Sequence, residues 1–289
     1  MTDTRQSTAS GIDSYFKISE RGSTLGTEVR AGVATFLVMS YIVLLNPAIL
    51  SGAGYDPVAV AAGTALVAGV LSIAMGVVAN YPLAMAAGLG INAAVAFGLV
   101  LGDGLSLAGA MGVIVLEGIL VTVLVLAGLR ERVMNAVPPS LKYAIAVGIG
   151  LFILFIGFVN GGLIRAAEGT PVEFIFPSTA APALTLVGLL IAVVLYVRKV
   201  RGALVIAIVA TSVVGLITGV IDFPDNFSAS VSFDTVGEFD LGNSFEVLGI
   251  LTAALTIYSF MLTDFFDTMG TATAIVEQAD LVDEEGNIP

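Results

Sequence analysis

Residues Tyr258–Gly270 read YSFMLTDFFDTMG and follow an apolar run from Val247 to Leu262. As a helix, that run carries the chain well into a bilayer before it meets Asp264 and Asp267. Two carboxylates three positions apart share one helix face. On insertion scales each costs about 2.5–3.5 kcal/mol at mid-depth, so such groups face a cavity, a partner or a substrate rather than lipid. A helix ending near Met261 would instead leave both in water, but apolar and small residues continue to Val276. The stretch predicts a membrane protein with a substrate or proton site inside it.

Composition points the same way. Hydrophobic residues make up 57% of the 289 and charged residues 12%, against about 45–50% and 25% in soluble domains. One soluble core cannot hide that much apolar surface, so the predicted class is an all-α polytopic membrane protein in the lipid bilayer. Cys is absent, which excludes disulfides, thiol catalysis and cysteine metal sites. His is absent too, removing the usual proton shuttle and the commonest metal ligand. Proton traffic therefore falls to carboxylates, and no metal or other cofactor is expected. The net charge of −12 gathers in the Asp222–Asp240 loop and the Glu277–Glu285 tail. A solvated acidic surface of the salt-adapted kind explains it better than cation binding.

Eight apolar segments separate cleanly: Ala31–Leu50, Pro57–Ala79, Pro82–Leu101, Ser106–Ala127, Leu141–Val159, Ala183–Val197, Ala203–Ile221 and Phe245 to about Val276. Residues 1–30 form a polar N-terminal segment with no signal-peptide core, and 31–289 the transmembrane domain. Arg5, Lys17, Arg21 and Arg30 precede segment 1. Arg130, Arg132 and Lys142 lie between segments 4 and 5, and Arg198, Lys199 and Arg201 between 6 and 7. With the N-terminus inside, every Lys and Arg except Arg165 is cytoplasmic, as the positive-inside rule demands. The acidic Asp222–Asp240 loop is then external.

Segment 3 departs from a plain span. YPLAMAAGLGINAAVAFG places Gly88 and Gly90 in mid-span just before Asn92. Each glycine weakens a helix by about 1 kcal/mol relative to Ala. A broken segment here would expose backbone polar groups, which is tolerated at membrane depth where the backbone lines a cavity or packs in protein. Broken helices mark transporter binding sites; close packing through small residues is the alternative. Segment 1 carries Ser40, Tyr41 and the Asn46-Pro47 pair in an otherwise apolar run. Segment 4 has Glu117 at its centre, in VIVLEGILV. A structural hydrogen bond and a proton-coupling role suit that residue equally.

Four stretches, TFLVMSYIVLLNPAIL, NYPLAMAAGLGINAAVAF, GLRERVMNAVPPSLKYAIAVGIGLFILFIG and DFFDTMGT, together resemble the AzgA-type purine permeases of the nucleobase–ascorbate (xanthine/uracil permease) transporter superfamily. The resemblance runs from about Tyr15 to the end, with the motifs in order. It implies proton-coupled import of adenine, guanine or hypoxanthine across the cytoplasmic membrane, and a fold of fourteen segments in two inverted repeats of seven. As partners it implies a purine base, a proton or in its place sodium, and a second copy of the chain; no nucleic acid is expected. By the resemblance, Asn92 matches the polar residue beside the broken third segment. Asp267 matches the acidic position of segment 8 that contacts the base, and Asp264 the acid one turn earlier. Glu117 matches a Glu often found in segment 4. With Gly90 and Thr268, Asp267, Asn92 and Asp264 form the expected substrate set; Asp264, Asp267 and Glu117 form the proton-coupling set. Thr268 and Gly270 are small enough for a flat ring to approach the backbone.

Two departures stand out. Ala87 occupies the position of the family's proline ahead of the first glycine. The sequence also stops at Pro289, just after segment 8, whereas the family's second acidic substrate residue lies in a tenth segment. The expected chain is thus the first repeat plus one helix of the second, as a fragment, a mis-called gene or a truncated form. Competing functions are a transporter of another nucleobase or of small anions on the same fold, a non-transporting remnant, and a membrane enzyme. Paired acids argue against anions, and no nucleophile–base pair supports an enzyme.

Overall fold

A backbone crossing lipid has to pair its own N–H and C=O groups, so the apolar runs fold as helices. A computed structural model describes residues 11–129, 138–167, 169, 172–200, 202–222 and 231–279. Arg5, Arg130, Arg132, Arg201, the side chain of Lys142, residues 223–230 of the acidic loop and residues 280–289 of the acidic tail lie outside the described residues. Among the described residues, five helical spans are long and apolar enough to cross a membrane: Leu25–Ser51, Pro57–Ala79, Leu107–Leu126, Ala180–Val197 and Ile250–Ala272. Three shorter apolar helices, Leu89–Val100, Gly150–Asn160 and Ala203–Ile217, complete the expected eight segments.

The short α1 (Gly11–Phe16) is followed by α2 (Leu25–Met39), whose cap Thr24 accepts a hydrogen bond from the Thr27 N–H at 3.2 Å. The first span thus starts at Leu25, ahead of the Ala31 expected from hydropathy, because the cap sets the first turn. It is interrupted at Ser40 and Tyr41 before α3 (Ile42–Ser51), which holds Pro47. Asp56 caps α4 (Pro57–Ala74) by accepting from the Val58 and Ala59 N–H groups, both at 2.8 Å. A π-helical turn, Met75–Ala79, extends α4 and stops at Asn80, which is left-handed at φ 57°.

Residues 81–88 form an arm outside any helix or strand, extended at Gly88. Segment 3 is therefore broken, and its helical half begins only after Gly88, as α5 (Leu89–Ala93) running into a π-helical stretch, Ala94–Val100. Ser72 on α4 holds the arm: its hydroxyl accepts from the Met85 N–H at 2.8 Å and donates to the Met85 carbonyl at 3.3 Å. The half-helix is the centre of the core, with Ala93 and Ala96 fully buried and Val95 and Leu99 nearly so. Around it pack Ile49 and Leu50 of α3, Ile257, and Ala110 and Val113 of α6 (Leu107–Leu126).

The remaining helices among the described residues are α7 (Pro139–Asn160), α8 (Ala180–Val197), α9 (Ala203–Ile217), α10 (Asn243–Leu248) and α11 (Ile250–Gln278). A two-residue hairpin, β1 (Ile164–Arg165) with β2 (Glu173–Phe174), follows α7 and carries an Arg165–Glu173 ion pair at 2.5 Å. Helices α8 and α9 pack through small residues, and a Cβ at Gly188 would come within 2.7 Å of the Thr211 hydroxyl. Segment 8 is split as well: Gly249, at φ 79°, separates α10 from α11.

Two loop contacts fix the helix ends around the site. The Asp240 N–H donates to the Ala108 carbonyl at 2.8 Å, and Asn243 Oδ1 accepts from the Ser106 N–H at 3.1 Å. A Cβ at Gly112 would fall inside the Asp240 carbonyl, so only glycine admits this loop against α6. Tyr55, in the turn between α3 and α4, donates its hydroxyl to the Leu107 carbonyl at 2.8 Å, and burial pushes its pKa up to about 12. On the opposite side of the fold, α1 clasps the Asn80 turn. Tyr15 donates to the Val77 carbonyl, Asn80 Nδ2 to the Tyr15 carbonyl at 3.0 Å, and Arg21 Nη1 to the Asn80 carbonyl at 3.0 Å.

Candidate functional site

The apolar stripe of α11 decides where its acids point. Ala253, Ile257, Met261 and Phe265 recur every four residues and are all buried, and α11 packs along α6 and α5. Phe265 and Phe266 also stack edge to face at 5.6 Å. With that face fixed, Asp264 and Asp267 are half-buried on the same helix. Asp267 reaches the start of the half-helix: a Cβ added at Gly88 would sit 3.7 Å from Asp267 Oδ2. Gly88 caps α5, and the first-turn N–H groups of a helix carry its partial positive charge. The Asp267 carboxylate thus lies beside the start of the half-helix, at ordinary contact distance from a Cβ placed at Gly88.

Glu117 lies on the buried face of α6 with Gly109, Ala110, Gly112 and Val113. It is 5% exposed, and its Oε2 has no hydrogen-bond partner among the described residues. Its charge lies close enough to interact with Asp264, and that of Asp264 with Asp267. The three expected proton carriers thus form one row, from the middle of α6 across α11 to the mouth of the half-helix. A lone buried carboxyl oxygen is costly unless it holds a proton or meets a mobile partner.

Asn92, on the first turns of α5, has its side-chain N–H already engaged. Its Nδ2 donates to Asn46 Oδ1 at 2.7 Å, and Asn46 Nδ2 in turn donates to Thr64 Oγ1 at 2.7 Å. Asn46 and Thr64 are buried, at 5% and 8% exposure. Gly90 lines a cavity of about 310 Å³ between α5, α7 and α11, with Ile91, Ala94, Gly148, Phe152, Ser259, Phe260 and Thr263. The carboxylates are not among its lining residues. Thr268 is exposed on α11, one turn beyond Asp264, and is not in the lining either.

Sequence reasoning passed over Asn46 and Thr64 as partners of Asn92. The signal was present: Asn46 interrupts a long apolar run beside Pro47, and Thr64 is a lone hydroxyl within AAGTALVAG. Polar side chains at such depth find one another. Gly148 and Phe152 were invisible to it, because only the packing of α7 against the half-helix makes them lining residues.

The Permease family, of xanthine/uracil type, matches residues 26–287. The chain belongs to that family. This permease-family chain is 36% identical to the guanine/hypoxanthine permease GhxP of Escherichia coli O157:H7, over 97% of its own length and 64% of the relative's. It is 37% identical to the adenine permease AdeQ of Escherichia coli K12, covering 100% of the chain and 64% of the relative. With the guanine/hypoxanthine permease PbuO of Bacillus subtilis the identity is 38%, over 92% and 62%. The chain therefore spans just under two thirds of the length of the curated relatives it matches. The resemblance to nucleobase permeases is borne out, and with it a transporter family rather than an enzyme.

Proposed function

We propose that this chain forms the purine-binding part of a proton-coupled importer of adenine, guanine or hypoxanthine in the cytoplasmic membrane, with the N-terminus inside. The observation that carries the reading is the approach of the Asp267 carboxylate to the Gly88 start of the half-helix. A purine offers ring and exocyclic N–H donors, and a carboxylate accepts from them with charge assistance. The opened backbone beside it supplies further polar groups that a uniform helix would have consumed. Gly90, the cavity it lines and the Asn92 amide lie on the same half-helix. Relatives with the printed names of guanine/hypoxanthine and adenine permeases support the substrate class.

Proton coupling falls to the row of carboxyls. In this reading Asp267 takes the base, Asp264 adjusts its protonation, and Glu117 exchanges the proton behind them. A small anion would meet two carboxylates at the entrance, which disfavours the anion-carrier alternative. The test is calorimetric. Purine binding to the purified protein should fall by about 2 kcal/mol or more on Asp267→Asn, since the amide loses the charged acceptor and adds a mismatched donor. Equal binding by wild type and Asp267→Asn would remove the basis of the reading.

A further inference from the structure

We propose that α1 and the turn after it form a latch on segment 3. Arg21 and Tyr15 are positioning residues in it: they hold the arm of residues 81–88, and through the arm the Gly88 side of the site. The effect on binding rests on the purine reading; the effect on the arm does not. Asn80 is the corner where the chain leaves the π-helical end of α4 and enters the arm, and it is left-handed at φ 57°. The arm has no helix or strand of its own, so its course follows from what pins it. The latch takes hold of the corner from both sides. Before it, the Tyr15 hydroxyl donates to the Val77 carbonyl. At it, Arg21 Nη1 donates to the Asn80 carbonyl and Asn80 Nδ2 donates to the Tyr15 carbonyl, each at 3.0 Å. A helix C-terminus needs donors only for its last carbonyls. Bonds on both sides of one left-handed residue, including one from its own side chain, fix the angle between α4 and the arm as well.

The latch is built before it meets the corner. Asp13 accepts from the Ser19 N–H and from its hydroxyl, each at 2.8 Å. The Ser23 N–H donates to the Ile18 carbonyl at 2.9 Å. Lys17 and Gly22 turn the chain with positive φ, at 54° and 71°, and Ile18 is buried at 7% exposure. Residues 13–23 are thus one knot, and the knot runs through the Thr24 cap into α2. It ties the start of the first span to the corner of segment 3 through side chains that lie on the surface, Tyr15 being 54% exposed. Further along the arm, Ser72 grips Met85, and Gly88 opens the half-helix beside Asp267. Residues 81–84 are all that separates the corner from Met85, so a corner set free to turn pulls on the Ser72 bond and on the Gly88 end beyond it.

The experiment measures amide exchange at Met85 in the purified full chain without ligand, then the affinity for adenine, guanine and hypoxanthine by calorimetry. Arg21→Ala should speed exchange at Met85 about fivefold or more, the effect of one lost hydrogen bond. It should weaken the best-bound base by about threefold or more. Arg21→Lys keeps a donor for the Asn80 carbonyl and should stay within about twofold of wild type in both; a change as large as that of Arg21→Ala would assign the effect to lost packing and overturn the inference. Asn80→Gly keeps the left-handed corner, which glycine adopts freely, and removes the bond to Tyr15. It should move both readouts as Arg21→Ala does, and it decides the matter where Arg21→Ala does not fold. A purely local tether would speed exchange only at Asn80 and Tyr81, whose N–H groups bond the Met75 carbonyl. Met85 at the wild-type rate, or faster exchange there with purine affinity unchanged, would overturn the inference and leave the purine reading standing. Faster exchange at Met85 in a chain whose wild type binds no purine would sustain the latch on the arm and overturn the purine reading instead.

Discussion

At the residue scale, Glu117 offers the sharpest test of coupling. Its Oε2, unpaired among the described residues, sits on the buried face of α6, in electrostatic reach of Asp264. Glu117→Gln keeps size and polarity and removes only the exchangeable proton. It should preserve folding and purine binding while flattening the pH profile of uptake, measured in proteoliposomes across an imposed pH gradient. Loss of expression instead would mark Glu117 as a structural hydrogen-bonding group. Asp264→Asn should reduce transport more than equilibrium binding, as expected of a neighbour that serves Asp267. Tyr55, outside the spans, gives a second pH test. Its folded-state pKa of about 12 lies above the ordinary 10.0, so its share of stability is present below pH 10 and is lost as pH rises through 12. Tyr55→Phe should remove that alkaline component and cost about 1 kcal/mol at neutral pH through the lost bond to Leu107. Thermal denaturation in detergent from pH 8 to 12 would show both.

At the element scale, the non-helical arm of residues 81–88 is held at Met85 by one side chain on a neighbouring helix. Ser72 both accepts from and donates to Met85. Ser72→Ala should strip the arm of that support at a cost of about 1–3 kcal/mol, visible as faster amide exchange at Met85. Unchanged exchange would show that packing alone holds the arm. Much of this segment was legible in advance. Gly88, Gly90 and Asn92 announced a break within an apolar run, and the break is there. The length of the non-helical part was not legible, since NYPLAMAAG is apolar enough to read as helix. What decides it is the left-handed turn at Asn80 and the serine opposite Met85. Segment 8 reads likewise: its apolar run was visible, but its division at Gly249 follows from a loop that Gly109 and Gly112 let dock on α6. Asp264, Asp267 and Glu117 could be picked out singly by their depth in apolar runs. Their assembly into a row could not, because it depends on how α6 and α11 pack.

At the scale of the whole molecule, the alternation of spans and the placement of Lys and Arg set an orientation that can be measured directly. The chain has no cysteine, so single cysteines report without background. Thr235→Cys, in the acidic loop before α10, should react with an impermeant thiol reagent on intact cells. Lys199→Cys, in the turn between α8 and α9, should react only after the membrane is opened. The reverse pattern would invert the topology and place the α1 clasp on the outer surface.

The half-helix also fixes an electrical position for the site. From Leu89 to Val100 a helix rises about 18 Å, and from Leu107 to Glu117 about 15 Å, within a hydrocarbon layer of about 30 Å. The half-helix ends at Val100 close to where α6 begins at Leu107, so with that end at one face Gly88, Asp267 and Glu117 would lie about halfway through. A proton reaching these carboxyls from that face through protein crosses roughly half the membrane field, about 1.2 kcal/mol at 100 mV. On the proposed reading, the break in segment 3 would make proton occupancy of Glu117, Asp264 and Asp267 respond to voltage, even with a purine that carries no charge.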